Sequence, residues 1–239
     1  MATPPHEQVE IFARSFGREH ASQLTPDESA AVARIVIALG PETNATVLAA
    51  HYARAFGLTL PTLADRLEHP QPATLRMTGQ PLRGGALVAA TAISRGQSQW
   101  DVNDLSESER CFRWASDCFH TLGMREGESL AFTLLGRVAQ IQERWDEAEH
   151  CYTRALTLDP VMGNRHDEGV DLGLLAQVAW LRGNLESAER LAHQALALHR
   201  QARDRHGAAA TWMTLAEVAR ERGQQWNAYL LFARAKIAG

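Results

Sequence analysis

Apolar positions along the second half of the chain recur at helical spacing. Leu134, Leu135, Val138, Ala139 and Gln142 trace one face, Ala148, Cys151, Tyr152 and Ala155 trace another, and a break lies between them. In the two stretches that follow, the break reads LRGN over 181–184 and ERGQ over 221–224, where glycine supplies the left-handed residue that ends a helix. The pattern predicts a helix, a tight turn and a second helix.

This unit repeats. In rows of forty, Ala115, Ala155, Ala195 and Ala235 share a column, and Phe112, Tyr152, Ala192 and Phe232 share the column three positions earlier. Ser108, Ala148, Ala188 and Ala228 form a third, and Gly136, Ala176 and Ala216 a fourth beside Leu135, Leu175 and Leu215. Arg125, Arg165 and Arg205 fall together at the junctions between rows. A small residue near the middle of each helix lets paired backbones approach, and an aromatic in the next turn fills the space beside that contact. One hairpin cannot bury both its faces, so such units are expected to stack.

The row from Phe132 carries Phe132, Leu135, Gly136, Ala139, Ala148, Tyr152, Ala155 and Pro160. On these residues the chain resembles the tetratricopeptide repeat family. The next row holds Leu172, Leu175, Ala176, Ala179, Ala188, Ala192 and Ala195, with Arg200 in place of the final proline, and the third holds Trp212, Leu215, Ala216, Ala219, Ala228, Phe232 and Ala235. The forty-residue period and the junctions HTLGMREGES and HRQARDRHGAA are similar to the lengthened variant of bacterial regulatory proteins, such as signal-transduction ATPases and peptide-sensing regulators. The resemblance covers roughly residues 83–239. It implies an all-α fold, a right-handed α-solenoid of helix-turn-helix hairpins, with about four repeats at 82–122, 129–160, 169–200 and 209–239.

The first of these reads as irregular. Leu87, Val88, Ala89, Ala92 and Ile93 predict a helix starting near Leu82 and ending at Arg95-Gly96, and the next helix starts at about Ser106. QSQWDVNDL, 97–105, is then expected to be a surface insertion of about seven residues, a place where solenoids carry function.

Residues 1–80 show no forty-residue echo and read as a helical N-terminal region, either degenerate repeats or a cap. Helices are predicted over 6–20, 26–39, 43–56 and 61–68, followed by a proline-rich linker over 68–81. The second is the clearest: Thr25 caps, Pro26 takes the first helical position, Glu28 completes a capping box and Gly40-Pro41 stops the helix. Ala53, Gly57 and Leu63 also have the spacing of a helix-turn-helix with 61–68 as recognition helix. Arg66 stands where that motif needs an apolar residue, however, and six Arg face eight acidic residues across the region, so the basic face that gives DNA binding its affinity is missing.

Composition narrows the function classes. Of 239 residues 45% are hydrophobic and 22% charged, the balance of a folding globular chain. The net charge of −4 gives no field toward phosphate backbones or anionic lipid, and Lys236 is the single lysine beside 23 arginines. No secretory signal or run of 18 apolar residues is present, and three spaced cysteines suit a reducing compartment, so a soluble cytoplasmic protein is expected.

Candidate chemistry is sparse. There is no His-Glu-x-x-His, Cys-x-x-Cys or glycine-rich phosphate loop. Cys111 and Cys118 share a helix face from which His120 points away, which favours packing over a metal site. His166, His193 and His199, near repeat junctions, read as exposed turn and helix-end residues. No catalytic, cofactor-binding or metal-binding residue is expected, and the chain is not expected to be an enzyme.

The resemblance implies that the first helix of each repeat lines a concave surface. Its outward positions are Thr133, Arg137 and Gln140, then Gln177, Trp180 and Leu181, then Met213, Glu217 and Arg220. This mixture of cations, amides and large apolar anchors suits an extended peptide or an amphipathic helix of mixed charge. It lacks the Lys and Asn clamp by which some members hold a C-terminal carboxylate. The expected function is a non-catalytic scaffold or adaptor that binds another protein or peptide, self-association included, with nucleic acid and membrane disfavoured. The alternative is a transcriptional or signalling regulator with a helix-turn-helix-like N-terminal region and a peptide-sensing array.

Overall fold

The computed structural model describes residues 6–40, 42–69, 84–158 and 165–238, and among them it contains twelve α-helices, one 3₁₀ turn and no strand. Pro160, residues 70–81 of the expected linker and the expected start at Leu82 lie outside the described residues. Contacts group the chain into two compact units, Met1–Gly127 and Glu128–Gly239. The hairpin before residue 122 therefore groups with the N-terminal helices, and the contacts divide the chain well after residue 80.

The first unit begins with α1 (His6–Phe16), α2 (Pro26–Leu39), α3 (Thr43–Ala55) and α4 (Leu60–Glu68). α1 stops at Phe16, short of residue 20, because Gly17 turns the backbone to φ +100°. The capping box of α2 is complete: the Thr25 hydroxyl accepts from the Glu28 amide at 3.2 Å and the Glu28 carboxylate from the Thr25 amide at 2.8 Å. α1 packs chiefly on α3, and α2 on α4, so these helices do not form successive hairpins. Phe12, Val32, Ile35, Tyr52 and Leu63 are fully buried between them.

α5 (Gly84–Asp101) and α6 (Leu105–Thr121) complete the unit as a hairpin. Here the sequence expectation is corrected. α5 continues through Gly96 to Asp101, the turn is only 102–104, and there is no insertion over 97–105. Gly96 is the small residue of the fourth column, forty positions before Gly136, and its role is contact: a Cβ there would lie 2.4 Å from the Phe112 ring.

The second unit contains most of α7 (Arg125–Ile141), then α8 (Trp145–Leu158), α9 (Arg165–Leu181), α10 (Leu185–Ala202), α11 (Arg205–Glu221) and α12 (Gln225–Ala238). α7, α9 and α11 each start at an arginine of the junction column and run for 17 residues. The turns inside hairpins place Glu143, Gly183 and Gly223 at φ +58°, +77° and +76°, so one left-handed residue recurs per period whatever its identity.

The alanine columns are buried. Ala155 and Ala195 are at 0% exposure and Ala235 at 6%; Ala148 and Ala188 are at 0% and Ala228 at 3%. Ala139, Ala148, Tyr152, Leu175 and Val178 form one core cluster, and Ala176, Ala192, Leu196 and Leu215 the next. Ring and small residue are matched in size: a Cβ on Gly136 would meet the Tyr152 ring at 2.5 Å, whereas Ala176 packs in a cluster with Ala192. Arg182 reaches back to Asp146 and Glu149 at 2.8 and 2.6 Å, tying one hairpin to the previous one at its surface.

Candidate functional site

The first helices of the three hairpins in the second unit, α7, α9 and α11, share one face, and two cavities open along it. One, of about 330 Å³, lies between α7 and α9 and is lined by Leu130, Thr133, Leu134, Arg137, Val170 and Asp171 among others. The other, of about 360 Å³, lies between α9 and α11. Val170 and Leu174 line both, so the two are neighbours on one face, to either side of α9, and together make the candidate groove.

Six of the nine sequence-predicted residues line this groove: Thr133 and Arg137 in the first cavity, Gln177, Trp180, Met213 and Glu217 in the second. Three do not. The Gln140 carbonyl turns inward to accept from the Tyr152 hydroxyl at 2.8 Å, Leu181 is exposed at the helix end, and Arg220 pairs with Glu217, Nε to Oε2 at 2.6 Å. Thr133 also has a structural duty, donating to Asp171 Oδ1 at 2.7 Å, and Trp180 is half-buried with Nε1 donating to Glu221 Oε1 at 2.7 Å. Met213, 55% exposed, is the apolar anchor most open to a partner.

Besides the buried hydroxyls of Ser129, Thr211 and Thr214, two buried ionisable residues of the groove escaped the sequence reading. Asp171 is buried on α9, where the neighbouring rows have Ala131 and Thr211. His199 is the larger correction: expected at the surface, it is 1% exposed and lines the second cavity. Its Nδ1 lies 2.9 Å from Asp204 Oδ2, and burial holds the imidazole below its ordinary pKa although Asp204 opposes that shift. Asp204 also caps α11, Oδ1 accepting from the Gly207 amide at 2.9 Å, and its carboxyl is held below its usual range by that amide and by His199 and His166, against desolvation, which pushes the other way.

The burial has a legible cause. His199 occupies the column of Phe119 eighty residues earlier, and Gly207 that of Gly127. In both places a ring fills the room that glycine leaves: a Cβ on Gly127 would come within 2.5 Å of Phe119, and on Gly207 within 2.2 Å of His199.

Other candidate chemistry stays structural. Cys111, Cys118 and Cys151 are buried free thiols, and desolvation pushes Cys111 up to about 11 and Cys118 to about 12. His120 is exposed, and among the described residues no group of three or more His, Cys, Asp or Glu is placed to hold a metal ion. No helix among them is long and apolar enough to cross a membrane. In the N-terminal helices, the outward residues of α4 are Pro61, Asp65 and Glu68; the two carboxylates hold Arg34 of α2, Asp65 at 2.6 Å. An acidic outer face on α4 is the reverse of what a DNA recognition helix requires.

Comparison with known proteins bears on the array. Residues 127–201 match the tetratricopeptide repeat family. BtubC (BKLC) from P. vanneervenii has a similar crystal structure, with a TM-score of 0.59 and 14% identity over 90% of this chain and 91% of that one. Nearly identical TPR-like repeats of a putative kinesin light chain from Podosopora anserina align with a TM-score of 0.53 and 14% identity over 82% of this chain and 93% of that one. At such identities the likeness is one of fold. No curated protein matches the chain by sequence.

Proposed function

Through residues 127–201 the chain is a tetratricopeptide repeat protein, and on that premise we propose that it is a non-catalytic scaffold or adaptor that holds a segment of another protein in the groove of α7, α9 and α11. The observation that carries the reading is the adjacency of the two cavities, which open side by side on one face and share Val170 and Leu174 as a wall. A groove that crosses three helices presents successive pockets to one extended or helical segment, which is how repeat arrays recognise peptides. Its walls are largely apolar, with Arg137 on α7 and the Glu217–Arg220 pair on α11, so a segment of mixed charge fits. The packing of the N-terminal helices supports a cap in preference to a regulator's DNA-binding module, since α4 turns acidic residues outward.

The test is capture of protein partners from the native lysate by the parent chain and by Arg137→Glu and Met213→Glu. Both side chains are exposed, so neither change disturbs the core. Partners held by the parent and lost by both variants, at unchanged helical circular dichroism and melting temperature, support the groove. The same partners retained by both variants remove it.

A further inference from the structure

The cavity between α9 and α11 is polar at one place in its depth. There the ring of His199 is cradled by glycines: a Cβ on Gly169 would approach Nδ1 to 3.1 Å, and one on Gly173 would stand 3.8 Å from Nε2. A carboxylate 2.9 Å from Nδ1 favours the neutral tautomer with its proton on that nitrogen, which leaves the lone pair on Nε2, the nitrogen nearer Gly173 of the cavity lining. Burial keeps this imidazole below its ordinary pKa of 6.5, which makes the neutral form the one present at pH 7.

Two buried hydroxyls beside it have the same character. Thr211 and Thr214, both buried, donate their hydroxyl protons to the carbonyls of Gly207 and Ala210 at 2.8 and 3.4 Å, so each oxygen has only lone pairs left to offer. Trp180 spends its indole N–H on Glu221. Around His199 the cavity thus offers acceptors, with the Gln177 amide, which can both donate and accept, elsewhere in its lining, and it is walled by Val170, Leu174, Trp180, Ala210 and Met213. The nearby carboxylates are already engaged, Glu217 by Arg220, Asp204 by His199 and Glu221 by the Trp180 indole. An ammonium would be buried without a counter-ion, which is costly, whereas a neutral donor would not.

We propose that this cavity takes a tyrosine side chain of the bound segment, the ring lying against Leu174, Trp180 and Met213 and the phenol O–H donating to Nε2 of His199. The proposal rests on the groove reading above and adds to it the chemistry of one anchor. An aromatic side chain buries a large apolar area at low entropic cost, and a single hydrogen bond at its tip sets it apart from phenylalanine.

The experiment uses the full chain, with p-cresol as probe and 4-methylanisole, the same ring without a donor, as control, followed by amide chemical-shift changes. Expected are shifts centred on Gly173, Thr211 and Met213, with p-cresol bound about fivefold or more tighter than 4-methylanisole, the worth of one hydrogen bond. In His199→Phe, which installs the ring found at the equivalent position 119, that preference disappears. If His199→Phe fails to fold, Gly173→Ala serves instead: its methyl group takes the space in front of Nε2, and p-cresol binding weakens while the melting temperature holds. Equal affinity for the two probes, shifts away from this cavity, or binding unaffected by both variants overturns the tyrosine proposal and leaves the groove standing. Partner capture unchanged in Arg137→Glu and Met213→Glu overturns both, whatever the phenol does.

Discussion

At the scale of single residues, two pairings decide how closely helices meet. Gly96 faces Phe112 and Gly136 faces Tyr152 at distances that leave no room for a Cβ. Gly136→Ala sets a helix-propensity gain of roughly 1 kcal/mol against an overpacking cost of about 1–3 kcal/mol. Because the obstacle is a fully buried ring with nowhere to go, we expect net destabilisation, measured by denaturant unfolding. In a Tyr152→Ala background the same glycine change should turn stabilising, as the alanine pair at 176 and 192 implies; a penalty of equal size in both backgrounds would show that the ring is not the obstacle. The left-handed positions give the opposite sign. Arg203 at φ +55° and Glu143 at φ +58° are side-chain-bearing residues where other turns of the array have glycine. A left-handed residue with a Cβ costs about 1–2 kcal/mol and glycine returns part of that through chain entropy. Arg203→Gly and Glu143→Gly should each stabilise by about 0.5–1 kcal/mol, seen as a rise in denaturation midpoint at unchanged slope.

At the scale of elements, what could be read from the sequence was whatever repeats. The junction arginines mark the starts of α7, α9 and α11, and the glycines at 183 and 223 mark the ends of α9 and α11. Thr25 to Glu28 announced α2 through a local motif that needs no tertiary context, and Thr25→Ala should cost about 1 kcal/mol, read as early loss of amide protection in the first turns of α2. The misreadings share a cause. Gly96 reads locally as a stop because glycine does end helices, yet its column partner Gly136 sits mid-helix against a ring. His199 reads locally as a surface residue because histidine suits helix ends, yet its column holds Phe119 and its partner column Gly127 and Gly207. In both cases the periodic equivalent, not local propensity, carried the answer. The N-terminal helices have no period to consult: amphipathic spacing located them, but only three-dimensional packing could show that α1 goes to α3 and α2 to α4. The groove was legible as a set of outward positions, while the polarity at its depth was not, since Asp171 and His199 break their columns.

At the scale of the whole molecule, the two compact units carry acid sensitivity with different thresholds. In the second unit the sensitive group is His199, which Asp204 faces at 2.9 Å from the turn before α11; His166 of α9 approaches the same carboxylate at 3.4 Å, and Glu217 of α11 lines the same cavity. Burial lowers the imidazole's folded value below the 6.5 it has when unfolded, so the unfolded chain takes up the proton first. Stability is complete above about pH 6.5 and is lost as pH falls through it. In the first unit the corresponding group is Glu28 of the capping box, held below its ordinary 4.5 by the Thr25 amide. A depressed carboxylate contributes above its unfolded value and loses that contribution only below about pH 4.5. Between these limits, acidification should weaken α9 to α11 while α2 keeps its protection, because stability in a chain of compact units is local. Amide hydrogen exchange at pH 7 and pH 5, corrected for intrinsic rates, resolves the two regions. Faster opening confined to α9, α10 and α11 is expected, and it should vanish in His199→Phe, which has no proton to gain. The same step should release a partner anchored on Nε2, since a protonated imidazole no longer accepts. If α2 opens first, or if exchange across α9 to α11 is unchanged between the two pH values, His199 is not the group that links the groove to pH.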